Sequence, residues 1–306
     1  MTRAPSRART RLISHMARLE DRLPQNIAGD FYVDSTCIDC DACRQIAPET
    51  FHDHGDQSSV YRQPLNAAEV QRALMALVSC PTTSIGTVSH RNARAAVEAF
   101  PSRVVDNVYF CGFTSEDSFG AWAYLIVRPE EDGGNVLVDS PRFTAPLVKR
   151  IAEMGGVRLM FLTHRDDIAD HAKFAAHFGC PRVMHQGEAP AALGVERILA
   201  GADAIRLDQD LVAIPTPGHT RGHQVLLYRD RILFTGDHLS WSPELQTLRA
   251  HRSVCWYSWA EQTRSMAKLL AYQFAWVLPG HGRIHGAAAE EMHQHLARCV
   301  GWMKTV

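Results

Sequence analysis

The nine residues THRDDIADH, 163 to 171, put two histidines and three aspartates directly behind the apolar run VRLMFL. The same junction recurs three more times, where LVAIPTP runs into GHTRGH, RILF into TGDH, and FAWVL into PGHG. Imidazoles and carboxylates are side chains that hold divalent cations, and strands in layered folds end in loops that gather functional groups. Four such ends predict one pocket with a metal site. A second chemistry sits earlier in the chain, where CIDCDAC places Cys37, Cys40 and Cys43 with two residues between neighbours, and Cys80 follows with Pro81 directly behind it. Three thiolates at that spacing wrap one face of an iron–sulfur cubane, and a distant Cys-Pro closes the fourth iron. A zinc knot would show paired CxxC units instead.

Regular elements must position these groups. WAYLIVRP and NVLVDSP read as strands, VRLMFLTH as a buried strand, and FTAPLVKRIAEMGG as a helix stopped by glycine. In the cysteine region NAAEVQRALMALVS reads as an amphipathic helix. The alternation implies αβ layering with a two-sheet core, and 306 residues at 46% hydrophobic content point to two domains. A net charge of -1 provides no global basic field, so nucleic acid and acidic membrane are excluded as partners and a small-molecule substrate is expected. No apolar run approaches the roughly 20 residues that span a bilayer, and the chain reads as cytoplasmic. Arg3, Arg7, Arg9 and Arg11 make the first thirty residues a basic tail, a composition that organelle-targeting peptides share.

The cysteine motifs resemble a single-cluster bacterial-type ferredoxin, a small α+β domain. Because all four corners carry cysteine, the resemblance implies a [4Fe-4S] cluster on Cys37, Cys40, Cys43 and Cys80; the motif is not repeated, so one cluster is expected. Residues 99–306 resemble the metallo-β-lactamase superfamily, whose fold is an αβ/βα four-layer sandwich of two mixed sheets between outer helices. Its later marks stand at His219 in PGHT, Asp237 in FTGD and His281 in LPGHG. The expected division is a tail at 1–30, a ferredoxin-type domain at 31–98 and the sandwich at 99–306.

The first mark of that superfamily, His-x-His-x-Asp-His, departs here. His164 matches, Asp166 stands in place of the second histidine, and Asp170-His171 falls two positions late. Read with a two-residue insertion, the resemblance implies one metal at His164, Asp166 and His219 and another at Asp170, His171 and His281, bridged by Asp237. Asp167, Asp170 and His171 would then share a face of a helix starting after the strand. Asp167 either replaces Asp166 as ligand or caps that helix. His223 and His238 are expected to support ligands, His185 to line the pocket, and His52, His54, His293 and His295 to be solvated. Trp256 and Trp259 are expected in the pocket wall, and Cys111, Cys180, Cys255 and Cys299 as structural thiols.

The resemblance implies a hydrolase of ester, thioester or lactone type, with two divalent ions activating a shared water, Asp237 bridging them and Asp170 orienting the nucleophile. Zinc is the first expectation, while the carboxylate of Asp166 shifts preference toward iron or manganese. The alternative is a di-iron oxidoreductase that reduces oxygen or nitric oxide with electrons from the cluster, which brings in a redox partner protein.

Overall fold

The computed structural model describes residues 16–188 and 193–306. The expectation for the basic tail, with Arg3, Arg7, Arg9 and Arg11, lies outside them. Two packed parts are evident. The first is small: the strand Phe31–Val33 pairs antiparallel with Ile85–Thr87, a hairpin joins Phe51–Asp53 to Ser58–Val60, and the helices Ala42–Ile46 and Ala67–Ser79 pack beside them. The long helix begins where the sequence provides a capping box. Asn66 accepts the Glu69 amide at 3.0 Å, and Glu69 accepts the Leu65 amide at 2.9 Å. It ends at Cys80, whose proline neighbour cannot continue a helix. The expected boundary at residue 30 falls inside this unit, because Leu23 is in its core and the buried Asn26 accepts the amides of Val33 and Val60 at 3.0 and 2.9 Å.

The second part is a four-layer sandwich. Its first sheet has seven strands in the order Arg197–Leu199, Arg182–His185, Leu159–Phe161, Val136–Val138, Tyr124–Ile126, Val108–Phe110, Ser102–Val105, with the first four mutually parallel. The second has six, Ile205–Arg206, Leu211–Pro215, Gln224–Tyr228, Ile232–Gly236, Trp276–Pro279 and His285–Gly286. Successive side chains on a strand point to opposite faces. Leu226 and Tyr228 therefore enter the core between the sheets, while Val225 and Leu227 face a separate core under the helices Trp259–Leu269 and Ala289–Met303. The helices Ala145–Glu153 and His171–Phe178 cover the first sheet with Leu147, Ile151 and Phe174. This is the sandwich implied by the metallo-β-lactamase resemblance.

The two parts meet over a built junction. Ile46, Met75 and Val78 of the small unit pack against both its own core and that of the sandwich. The Ser79 carbonyl accepts the Thr114 amide at 3.2 Å and its hydroxyl at 2.7 Å, and the Val78 carbonyl accepts from Arg142 at 3.2 Å. Gly120 of the sandwich lies directly on the cysteine loop: its φ is +85°, and a Cβ there would sit 2.5 Å from Cys40 Cβ and 2.8 Å from Cys40 Sγ. Gly120→Ala therefore meets both backbone strain and a clash, and is expected to cost about 1 to 3 kcal/mol. Denaturant unfolding checks this, and an unchanged midpoint would show that the junction is looser than described.

Candidate metal centre and cluster site

Four strand ends deliver the donors. His164 follows Leu159–Phe161, His219 follows Leu211–Pro215, Asp237 closes Ile232–Gly236, and His281 follows Trp276–Pro279. The structure brings them together with Asp166 and Asp167. His164 Nε2 and His219 Nε2 lie 3.6 and 3.7 Å from Asp237 Oδ2, and 3.8 and 3.4 Å from Asp166 Oδ2. His281 Nε2 lies 3.9 Å from both Asp237 Oδ2 and Asp167 Oδ1. Two triads result, His164–His219–Asp237 and Asp167–Asp237–His281, with Asp237 in both.

These separations are too long for hydrogen bonds and suit donors around an ion. Ligands about 2.1 Å from a tetrahedral ion lie about 3.4 Å from one another. The buried atoms His164 Nε2, His219 Nε2, Asp167 Oδ2 and Asp237 Oδ1 have no hydrogen-bond partner among the described residues. Orphaned buried polar atoms are costly, and a pair of cations between them removes that cost, so the residues fit the group.

Asp170 and His171 do not join this set. The helix carrying them starts only at His171, so residues 164–170 form a loop and the expected shared face does not exist. Asp170 accepts the Phe143 amide at 2.7 Å and pairs with Lys173 at 2.6 Å, while His171 Nδ1 takes Arg182 at 3.1 Å. Neither is placed to orient a nucleophile. Asp167 is the residue that turns inward, 1% exposed, in addition to Asp166 and not in its place. It neither caps a helix nor faces solvent. Room for it comes from Gly280, where a Cβ would lie 2.5 Å from Asp167 Oδ2 and 2.9 Å from Asp237 Oδ1. That glycine in PGHG was the available sequence signal.

Electrostatics bind the cluster of groups tightly. Burial opposes the His164 imidazolium, yet Asp167, Asp237 and Asp139 together push it up to about 10. Burial, followed by the charge of Asp237, raises Asp167 well above the usual carboxylate range. Burial also opposes ionisation of Asp237, but His281 and His164 overcome it and hold it low. Behind His164, Thr163 Oγ1 lies 3.0 Å from its Nδ1 and donates to buried Asp139 at 3.0 Å. Such a relay fixes the ring and keeps Nε2 on the side of Asp237, where it would meet a bound ion. Asp139 was missed because a lone aspartate after VLV carries no motif.

The remaining expectations divide. His223 and His238 are buried behind the triads, 4.1 Å apart between ring centroids, and burial keeps both neutral. His185 does not line the cavity; its Nε2 lies 3.0 Å from the Gly201 carbonyl and its Nδ1 accepts the Gly187 amide. His52 does line it, stacked on Tyr61, whereas His295 is buried against Trp241 instead of solvated. Trp256 is in the wall, but Trp259 packs on Trp302. Cys111, Cys180 and Cys299 are buried, and Cys255 donates to the Gly218 carbonyl at 3.2 Å.

The four motif cysteines form the second site. Burial raises the thiols of Cys37, Cys40 and Cys43, Cys40 to about 12, and each feels its neighbours in the set. Thiols held together at that cost fit a group that binds them as thiolates. Asp39 and Asp41 take left-handed backbone, which turns successive amides inward, and the Ser58 and Ser84 amides reach Cys37 and Cys80 at 3.5 and 3.3 Å. Both sites open on one cavity of about 1230 Å³, lined by Asp39, Cys40 and Asp41 on one side and Asp166, Asp167, His219, Asp237 and His281 on the other.

Residues 33–87 match the family described as the 4Fe-4S single cluster domain of Ferredoxin I. A hydroxyacylglutathione hydrolase of Rhizobium etli is 31% identical over 140 residues, covering 44% of this chain and 51% of that protein. One of Chelativorans sp. is 31% identical over 127 residues, covering 40% and 48%. The chain thus spans about half the length of the curated relatives it matches. Among solved structures, DIM-1 metallo-β-lactamase is similar at 19% identity and a TM-score of 0.49, covering 66% of this chain and 95% of that one. ETHE1 from Myxococcus xanthus is similar at 20% and 0.46, covering 63% and 84%.

Two substitutions separate the geometry from the sequence expectation. Asp167→Asn is expected to halve the metal content of the sandwich, and Asp170→Asn to leave it unchanged; metal analysis of the purified proteins decides, and the reverse result would restore the insertion reading. Thr163→Val is expected to weaken metal binding by about 10- to 100-fold.

Proposed function

We propose that this chain, a metallo-β-lactamase fold joined to a single-cluster ferredoxin domain, is a metal-dependent hydrolase of acyl compounds, with thioesters as the first substrate class. The observation that carries this reading is the pair of donor triads sharing Asp237 beneath a large cavity. The partial match to hydroxyacylglutathione hydrolases supports the thioester. Site one would be held by His164, His219, Asp166 and Asp237, site two by Asp167, Asp237 and His281. Three imidazoles and three carboxylates make a hard donor set, which favours iron or manganese over the zinc that the motif alone puts first.

When bound, the ions supply Lewis-acid polarisation and an acidified water. The chain's own contribution is positioning. Asp139 and Thr163 hold the His164 ring, Asp237 faces both sites with one oxygen, and the buried neutral His223 and His238 back the pocket without adding charge. Asp166 is 43% exposed at the side chain and faces the cavity, where a substrate would approach site one.

A second reading is favoured by one specific arrangement. Cys40 lines the same cavity as the triads, Gly120 lies on Cys40, and the ring of the next residue back, Phe119, is 6.1 Å from that of His281. A cluster on the cysteines would therefore lie a few residues from site two, as a di-iron oxidoreductase fed by the cluster would require.

Full-length protein is expected to hydrolyse thioesters with no electron donor present, to lose activity on chelation and to regain it with added divalent metal. Turnover of oxygen or nitric oxide that depends on a continuous electron donor, with no hydrolysis in its absence, would replace the first reading by the second.

A further inference from the structure

The cavity above the triads carries a one-sided charge, and the ferredoxin unit supplies much of it. Nine carboxylates line it against three arginines. Asp166, Asp167 and Asp237 belong to the donor set, which leaves six: Asp39, Asp41, Asp53, Glu116, Asp117 and Glu244. The three arginines are already engaged. Arg44 meets Asp39 at 2.7 Å, Asp41 at 2.5 Å and Asp53 at 3.6 Å; Arg283 meets Asp41 at 3.3 Å; Arg165 lies 3.6 Å from the buried Glu188 and 3.9 Å from Asp166. Glu116, Asp117 and Glu244 form no ion pair with any described residue, so the wall keeps unneutralised negative charge and no spare cation. An anionic substrate would find a repulsive wall on the way to the metals, because a cleft lined by one sign of charge concentrates the opposite sign.

A second observation points the same way. Phe119 and Trp256 flank the triads, with ring centroids 6.1 Å from His281 and 6.3 Å from His219, and both are left exposed, 54% and 65%. Exposed aromatic faces beside carboxylates form a platform for an organic cation, which ring quadrupoles attract. His219 and Asp237 line the same cavity as these two rings, so a cation held on the rings lies beside the donor set.

We propose that the substrate is an acyl compound whose leaving-group portion carries positive charge and lies over the wall formed by the ferredoxin unit and the Glu116–Asp117 loop, and that anionic thiol portions such as glutathione are selected against. This rests on the hydrolase reading for the bond that breaks, but not for the charge preference. The reaction itself needs only water: the acyl–sulfur bond breaks, the acyl carbon gains the hydroxyl, and the thiol leaves with a proton.

Binding of thioethers, which cannot be hydrolysed, separates the two claims. Isothermal titration of the metal- and cluster-loaded full chain with S-butylcysteamine and with 3-(butylthio)propionate is expected to show the cation binding about tenfold or more tightly at low salt, with the difference shrinking as salt rises. The double variant Glu116→Gln and Asp117→Asn is expected to narrow the gap with the metal content unchanged. Equal binding, preference for the anion, or no binding of the cation at millimolar concentration overturns the proposal. Hydrolysis of butyryl thioesters of the same two thiols is measured alongside. Cation preference in binding with no hydrolysis of either ester would uphold the charge selection and sink the hydrolase reading; hydrolysis with the anionic ester preferred would do the reverse.

Discussion

Three buried carboxylates within reach of one another set the terms for the rest of this molecule. Asp139, Asp167 and Asp237 are all withdrawn from water in the space between the ends of the two sheets, and like charges in a medium of low dielectric repel strongly. Three imidazoles answer Asp167 and Asp237, yet their donor atoms stand 3.6 to 3.9 Å from those carboxylate oxygens, outside hydrogen-bond range. Positive charge in the middle would relieve that repulsion without the proton that burial otherwise favours on Asp167. Packing serves that requirement. The strands bury both faces, which fixes their ends, and Gly280 omits the side chain that would fill the space Asp167 and Asp237 need.

The ferredoxin unit is held to that centre by backbone groups instead of a loose linker. Carbonyls at the end of its long helix accept from Thr114 and Arg142 of the sandwich, and Gly120 is pressed onto Cys40. The loop that carries His281 continues into Arg283, whose partner Asp41 is inside the cysteine motif, and Asp41 also holds the buried Arg44. The cysteine loop and the metal loop thus share an ion-pair network. A change in one reaches the other through two contacts.

Much of this was legible in the sequence. Apolar runs that stop at Thr163, Pro217, Thr235 and Pro279 gave the strand ends, and the polar residues behind them identified His164, His219, Asp237 and His281 as a convergent group. The cysteine spacing located the other site. What failed was the loop from Arg165 to Asp170, where the reading assumed a helix beginning directly after the strand. Periodicity has no purchase on six residues of irregular backbone, and the decision between Asp167 and Asp170 depends on Gly280, more than a hundred residues away. His185 and His295 failed for a related reason. Each is satisfied or packed by a distant partner, Gly201 and Trp241, that no local pattern announces.

The position of the cluster bears on both functional readings through one physical fact. Cys40 and the neighbouring Asp39 and Asp41 face the same space as the metal triads, so a cluster on the four thiolates would stand beside the cavity wall. A cluster there would tether a loop in which Asp39 and Asp41 occupy left-handed conformations. That loop supplies part of the acidic wall and Asp41, the partner of Arg283. An architectural role of this kind would require no electron to move. A one-electron change in such a cluster would alter the charge beside the cavity by one unit, whether or not electrons continued to the metals.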